Sequence, residues 1–227
     1  MREQLRAMLM DSIDIINITH GNEALADGKA RVEREDMLLV KPVNFDFMQI
    51  FTGKYFESWE IRSEYDEDKK ANQGMIRIRQ EGDDYRMVVK KFDHEDGNPL
   101  EVELSVTKDL FELAKMLFPV GSVKQRYRIP VPDTELEWEV DVYLDSDGKV
   151  KSEWVKLDME YPEGYEGELP ALPFECSEVM GPKFTEEQDE IKEDLFEDVF
   201  NIYRKDSMLP IACADDDDDE EGEEKED

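Results

Sequence analysis

From residue 31 onward, charged side chains recur at every second position, and most of the stretches that carry them hold a single sign of charge. In an extended strand successive side chains point to opposite faces, so residues two apart share a face. Segment 75–80 places Arg77 with Arg79, segment 85–91 places Arg86 with Lys90, and segment 122–130 aligns Lys124, Arg126 and Arg128. Acidic residues are grouped in the same way: Glu33 with Glu35, Glu101 with Glu103, and Glu137 with Glu139 and Asp141. Segment 152–161 is mixed, with Lys156, Asp158 and Glu160 on one side. The alternate positions are apolar, for example Ile76 and Ile78, Val140 and Val142, Leu157 and Met159. An antiparallel sheet with one solvated face also gives polar–apolar alternation. It explains less well why charge is sorted strand by strand.

The period-two pattern predicts eight strands, at 32–40, 54–64, 75–80, 85–91, 99–106, 122–130, 136–144 and 152–161. Turn-forming runs such as Gly82-Asp83-Asp84 and Asp145-Ser146-Asp147-Gly148 separate several of them. Helical spacing interrupts the series from Thr107 or Lys108 to Leu117. It returns near Thr185 to Arg204, where Ile191, Leu195, Val199, Ile202 and Tyr203 form a stripe. At the N-terminus Leu5, Met8, Leu9, Ile13 and Ile16 describe an amphipathic helix. The expected division is a helical extension over 1–30, a strand-rich domain over 31–182, a C-terminal helix over 183–206 and a disordered acidic tail over 207–227.

Composition narrows the function. The formal net charge is −32, which repels nucleic acid and anionic membrane over most of the surface, so any phosphate site must be a sheltered basic cluster. The tail from Asp215 carries about a third of that charge and reads as a solubilising segment or as a contact for a basic partner. Cys176 and Cys213 form no CxxC pair, so neither a zinc site nor a disulfide framework is expected, and a cytoplasmic location fits. No apolar run is long enough to span a bilayer. His20 and His94 support no nucleophilic catalysis, and Gly28-Lys29 lacks the spacing of a phosphate-binding loop.

Both signs of charge have a use on one enclosed face. A triphosphate needs several Arg and Lys donors. Carboxylates repel it directly but can hold Mg²⁺ or Mn²⁺, which bridges to phosphate oxygens. A basic wall facing an acidic wall is a metal–triphosphate site, and the arrangement calls for a closed barrel. The expected fold is therefore α+β: an eight-stranded antiparallel β-barrel, or tunnel, with helices packed outside.

The order of the strand motifs resembles the CYTH superfamily, or triphosphate tunnel metalloenzymes, which includes class IV adenylate cyclases, thiamine triphosphatases and inorganic triphosphatases. The residues that carry the resemblance are Glu33-Arg34-Glu35, Arg77-Ile78-Arg79, the strand ending in Lys90, Glu101-Val102-Glu103, Lys124-Gln125-Arg126-Tyr127, Trp138-Glu139-Val140-Asp141, Asp158-Met159-Glu160 and Glu178-Val179. The resemblance implies phosphate binding by Arg77, Arg79, Lys90, Lys124, Arg126 and Arg128. It implies metal near Glu33, Glu35, Glu101, Glu103, Asp141, Asp158 and Glu160, and catalysis by Glu33, Glu35 and Lys90. Three positions depart from the family pattern: Met37 stands where a lysine is usual, Asp158 where a glutamate is usual and Met180 where threonine is common. The missing lysine implies weak, altered or absent catalysis. The implied activity is metal-dependent hydrolysis of an inorganic, organic or nucleoside triphosphate. The alternatives are an adenylate cyclase of class IV type and a nucleotide or polyphosphate binder with impaired catalysis. The terminal amphipathic helices leave a homodimer open.

Overall fold

The computed structural model describes residues 31–32, 34–62, 65–66, 71–72, 74–91, 100–162 and 165–203. The expected N-terminal helix and acidic tail lie outside these residues. So does Glu33.

The strands are β1 (Arg31–Val32), β2 (Arg34–Pro42), β3 (Lys54–Arg62), β4 (Tyr65–Asp66), β5 (Ala71–Asn72), β6 (Gly74–Glu81), β7 (Asp84–Lys91) and β8 (Leu100–Ser105). They continue with β9 (Val120–Pro130), β10 (Glu137–Tyr143), β11 (Val155–Tyr161), β12 (Cys176–Met180) and β13 (Ile202–Tyr203). All pairings are antiparallel, and the main sheet runs β1-β8-β7-β6-β3-β9-β10-β11-β2-β12, with β13 paired to β9. The closed eight-stranded barrel expected from the sequence is corrected here. Closure would require the free edge of β2 to pair with β8, but Leu39–Pro42 of β2 pairs instead with β12. Among the described residues the ladder to β8 consists of Arg31↔Glu101 and Val32↔Leu100. The sheet is nonetheless curled. β1 and β2 flank one residue, so the chain over 31–42 meets β8 at one end of the path and β11 near the other.

The alternation explains the curl's polarity, because the convex side is apolar and covered. Helix α1 (Phe47–Ile50) and the 165–176 segment cover one half, where Leu38, Val40, Tyr127, Trp138, Val140 and Leu157 are buried with Phe47. Phe47 stacks on Phe174 at 4.6 Å between ring centroids. Helix α2 (Lys108–Leu117) covers the other half, burying Phe111 and Ala114 against Trp59, Ile61, Ile76 and Ile78. The Thr107 side chain caps it by accepting from the Leu110 amide. Glu57, buried beneath the helix, accepts from Trp59 Nε1 at 2.9 Å and pairs with Lys115 Nζ at 2.5 Å.

The long C-terminal helix expected over 185–204 is also corrected. Helix α3 (Glu186–Asp194) opens with a capping box at Thr185 and Gln188, then widens to a π-helical turn over Leu195–Phe200. Ile202 and Tyr203 leave the helix and hydrogen-bond as β13 to Gly121 and Val120. Leu195 and Phe200 pack with Leu39, Tyr143, Trp154 and Met180. Leu39, Tyr143 and Trp154 share the alternation of the charged face, so this C-terminal turn plugs one end of the concave side. No described helix is long and apolar enough to cross a membrane.

Candidate functional site

The concave face encloses a cavity of about 390 Å³ lined from β7 across to β2. Seven cationic side chains reach it: Arg62 from β3, Arg77 and Arg79 from β6, Lys90 from β7, Lys124 and Arg126 from β9, and Lys156 from β11. Four carboxylates join them, Glu35, Glu139, Asp158 and Glu160. The walls around the cavity are therefore cationic in a chain whose net charge is −32.

Most of the basic wall is braced by carboxylates. Asp141 is fully buried and accepts from Arg126 Nε at 2.7 Å and Nη2 at 2.8 Å, and it also accepts from Lys124 Nζ. Glu139 takes Arg126 Nη1 and, at 2.9 Å, Arg128 Nη2. Glu103 lies between Arg79 and Arg86, at 2.8 and 2.6 Å. Glu60 accepts from Arg77 Nε and Nη2, at 3.0 and 2.8 Å, and from Arg62. In this low-dielectric setting the partners set protonation. Burial pushes Asp141 up, but Lys124 and Arg126 outweigh it and hold the carboxyl well below its ordinary value. Burial likewise raises Glu60, and Arg77 and Arg62 bring it below the ordinary carboxylate range. Burial, with Arg126 alongside, pushes Lys124 down to about 7. Lys156 feels the same burial, but Asp158 and Asp141 raise it.

Of the residues expected at the site, Arg77, Arg79, Lys90, Lys124, Arg126, Glu35, Asp158 and Glu160 line one cavity. Arg128 sits at its margin, about half exposed and paired with Glu137 and Glu139. Asp141 and Glu103 are not among the lining residues: Asp141 pairs with Lys124 and Arg126, and Glu103 with Arg79 and Arg86. Glu101 lies on β8 opposite Lys90, its side chain outside the described residues. Met37 lies opposite Asp158 in the β2–β11 ladder. Sequence reasoning did not point to Glu60 or Arg62, and it gave no role to Glu139 or Lys156 although both lie on the charged faces. Their alternation matches that of the cavity-facing residues, which was the available signal. Their partners depend on register, and register is set across strands.

Among the described residues no group of three or more His, Cys, Asp or Glu side chains is arranged as a metal centre. The donor chemistry nevertheless fits a hard divalent cation. Glu35 and Glu160 face each other directly across β2 and β11, a like-charge pairing that a cation relieves. Asp158 is 3% exposed, and its buried Oδ1 has no hydrogen-bond partner.

No family model and no curated protein matches the chain. Among solved structures it is similar to an inorganic triphosphatase, at 17% identity over 64% of this chain and 86% of that one, with a TM-score of 0.35. It is similar to a candidate adenylate cyclase from Bacillus halodurans, at 15% identity over 58% and 81%, with a TM-score of 0.41. A protein from Pyrococcus horikoshii gives 17% identity over 73% and 94%, with a TM-score of 0.37. On its own residues, with the RxR, KxR, WExD and DxE motifs each on a strand of one curled sheet, the chain resembles the CYTH superfamily of triphosphate tunnel metalloenzymes.

Proposed function

We propose that the cavity binds the triphosphate group of a small molecule and hydrolyses it with a divalent metal ion. The observation that carries this reading is the concentration of seven cations on one enclosed face of an otherwise strongly acidic chain. Arg77, Arg79, Lys90, Lys124 and Arg126 form the phosphate-binding wall, with Arg128 at the rim. Glu35, Asp158 and Glu160 present hard oxygen donors for Mg²⁺ or Mn²⁺, and Glu33 and Glu101 belong to the same set by sequence. Bound metal would neutralise charge on the phosphate and polarise it toward attack. Glu33, Glu35 and Lys90 are the residues nearest that chemistry in this reading. In this reading Glu103 and Asp141, both paired with guanidinium or ammonium groups, aim the cations, whereas Asp158 pairs with Lys156 through Oδ2 and keeps Oδ1 for metal. Segment 31–182 is the functional unit, and 183–203 completes it by closing one end.

Phosphate release from tripolyphosphate, ATP and thiamine triphosphate, with and without Mg²⁺ or Mn²⁺, tests the proposal. Turnover that requires a divalent ion and falls at least a hundredfold in Arg77→Met supports it, since transition-state charge stabilisation of this kind contributes about that much. Metal-independent turnover, or turnover indifferent to Arg77, contradicts it. A second reading, binding without turnover, is favoured by Met37, which puts a thioether where the resemblance implies an activating lysine. Saturable binding with no phosphate release would select it.

A further inference from the structure

We propose that Phe56 is a positioning residue for this cavity, an uncharged platform that helps hold three of its basic side chains without adding negative charge. The proposal rests on the triphosphate-binding reading above.

Phe56 lies on β3 and lines the cavity, yet it is only 3% exposed, because cations cover its ring. The Arg126 guanidinium carbon is 5.2 Å from the ring centroid, and Arg79 Cζ and Lys124 Nζ are each 5.9 Å away. These residues come from both strands that flank β3: Arg79 from β6, Lys124 and Arg126 from β9. Lys124 is the direct cross-strand neighbour of Phe56. The register thus brings two otherwise separate parts of the basic wall onto one ring.

The physical need is specific. Arg79, Arg126 and the protonated form of Lys124 repel one another in a confined space and require counter-groups. A carboxylate attracts each cation but cancels the charge that an incoming polyanion must find. The ring quadrupole attracts cations while leaving the net charge of the wall unchanged. Each cation over Phe56 is already held from another side by a carboxylate, Arg79 by Glu103 and both Lys124 and Arg126 by Asp141. Carboxylate and ring together define where the donor groups point.

Fluorination tests this directly. Phenylalanine, 4-fluoro-, 3,5-difluoro- and pentafluorophenylalanine at position 56 are nearly equal in shape but progressively weaker in ring quadrupole. Tripolyphosphate affinity and thermal midpoint are measured for each, with Phe56→Leu as the natural-residue endpoint. The expected result is a stepwise rise in Kd along the series, reaching about tenfold for the pentafluoro ring, with Phe56→Trp retaining wild-type affinity within about threefold. A Kd that does not move with fluorination while wild type binds normally would overturn the role of Phe56 and leave the triphosphate reading intact. Loss of affinity in strict proportion to lost thermal stability would also overturn it, assigning Phe56 to packing alone. If wild type itself binds no tripolyphosphate, the underlying reading fails and this one falls with it.

Discussion

Replacing Asp141 by asparagine separates two roles that a cavity carboxylate can play. Asp141 is fully buried and supports Lys124 and Arg126, whose side chains are 13% and 12% exposed. The Asp141→Asn variant would keep the volume but leave two buried cations without their main counter-charge. Breaking a buried ion pair from one side costs about 3–5 kcal/mol. At about 2–4 °C per kcal/mol for a chain of this size, the midpoint of thermal unfolding should fall by roughly 6–20 °C. The lost charge is one that a polyanion can replace. Tripolyphosphate should therefore raise the midpoint of Asp141→Asn by more than it raises that of wild type. Differential scanning calorimetry with and without tripolyphosphate in EDTA reads both effects, and a parallel scan with Mg²⁺ in place of EDTA reads the response to metal. A variant within about 1 kcal/mol of wild type would refute the reasoning, because an exposed pair contributes no more than that. So would a variant as stable as wild type that has lost only its response to divalent metal, since that outcome makes Asp141 a metal ligand.

Lys124 carries the pH prediction. Its ordinary value is 10.5 and burial brings it to about 7, so between those limits the unfolded chain holds a proton that the folded chain has released. This group's contribution to stability accordingly rises with pH across that window and is flat outside it. An anion in the cavity favours the protonated form, so triphosphate binding above pH 7 should take up a proton and weaken by up to about tenfold per pH unit. Calorimetry in buffers of different ionisation enthalpy measures the uptake, and an unchanged proton count in Lys124→Met would contradict the assignment. Phe200→Ala removes the aromatic plug that stacks on Tyr143 at 4.1 Å and should cost about 3–5 kcal/mol in chemical denaturation; a loss below 1 kcal/mol would show that the C-terminal turn does not close the sheet. Gly121→Ala places a methyl group 2.6 Å from the Trp59 ring, so overpacking of about 1–3 kcal/mol is expected. Wild-type stability in that variant would show that Trp59 can move aside.

The strands were legible because their burial is one-sided. Ile76 and Ile78 or Leu157 and Met159 must face a core, and Arg77 and Arg79 then have one direction left. The span of helix α2 was legible from its apolar spacing, but its buried face was not: Phe111 and Ala114 are buried, whereas Leu110 and Leu113 are exposed. The sheet's failure to close was not. It depends on Cys176–Met180 taking the edge of β2, and that short polar stretch after a proline-rich loop has no alternation of its own. The end of the C-terminal helix was misread because Ile202 and Tyr203 continue the apolar spacing although β9 offers them a strand edge. Within the site, residue types and faces were readable, but pairings were not. Glu60 reaches Arg77 because β3 and β6 pair in one register, and a shift by one residue would send every partner to the other face. Phe56 reads from sequence as one more apolar residue; only the positions of Arg79, Lys124 and Arg126 give it a separate role.

The central claim is that cations from β6, β7, β9 and β11 converge on one anion site. Calorimetric titration of tripolyphosphate into wild type and into a double variant, Arg77→Met with Arg126→Met, tests it most directly. The account predicts one site per chain in wild type and, at about 1.5–3 kcal/mol for each charged hydrogen-bonding group lost, a fall in affinity of at least a hundredfold in the double variant. Equal affinity in the two proteins, or several weak sites spread over the surface, would contradict it.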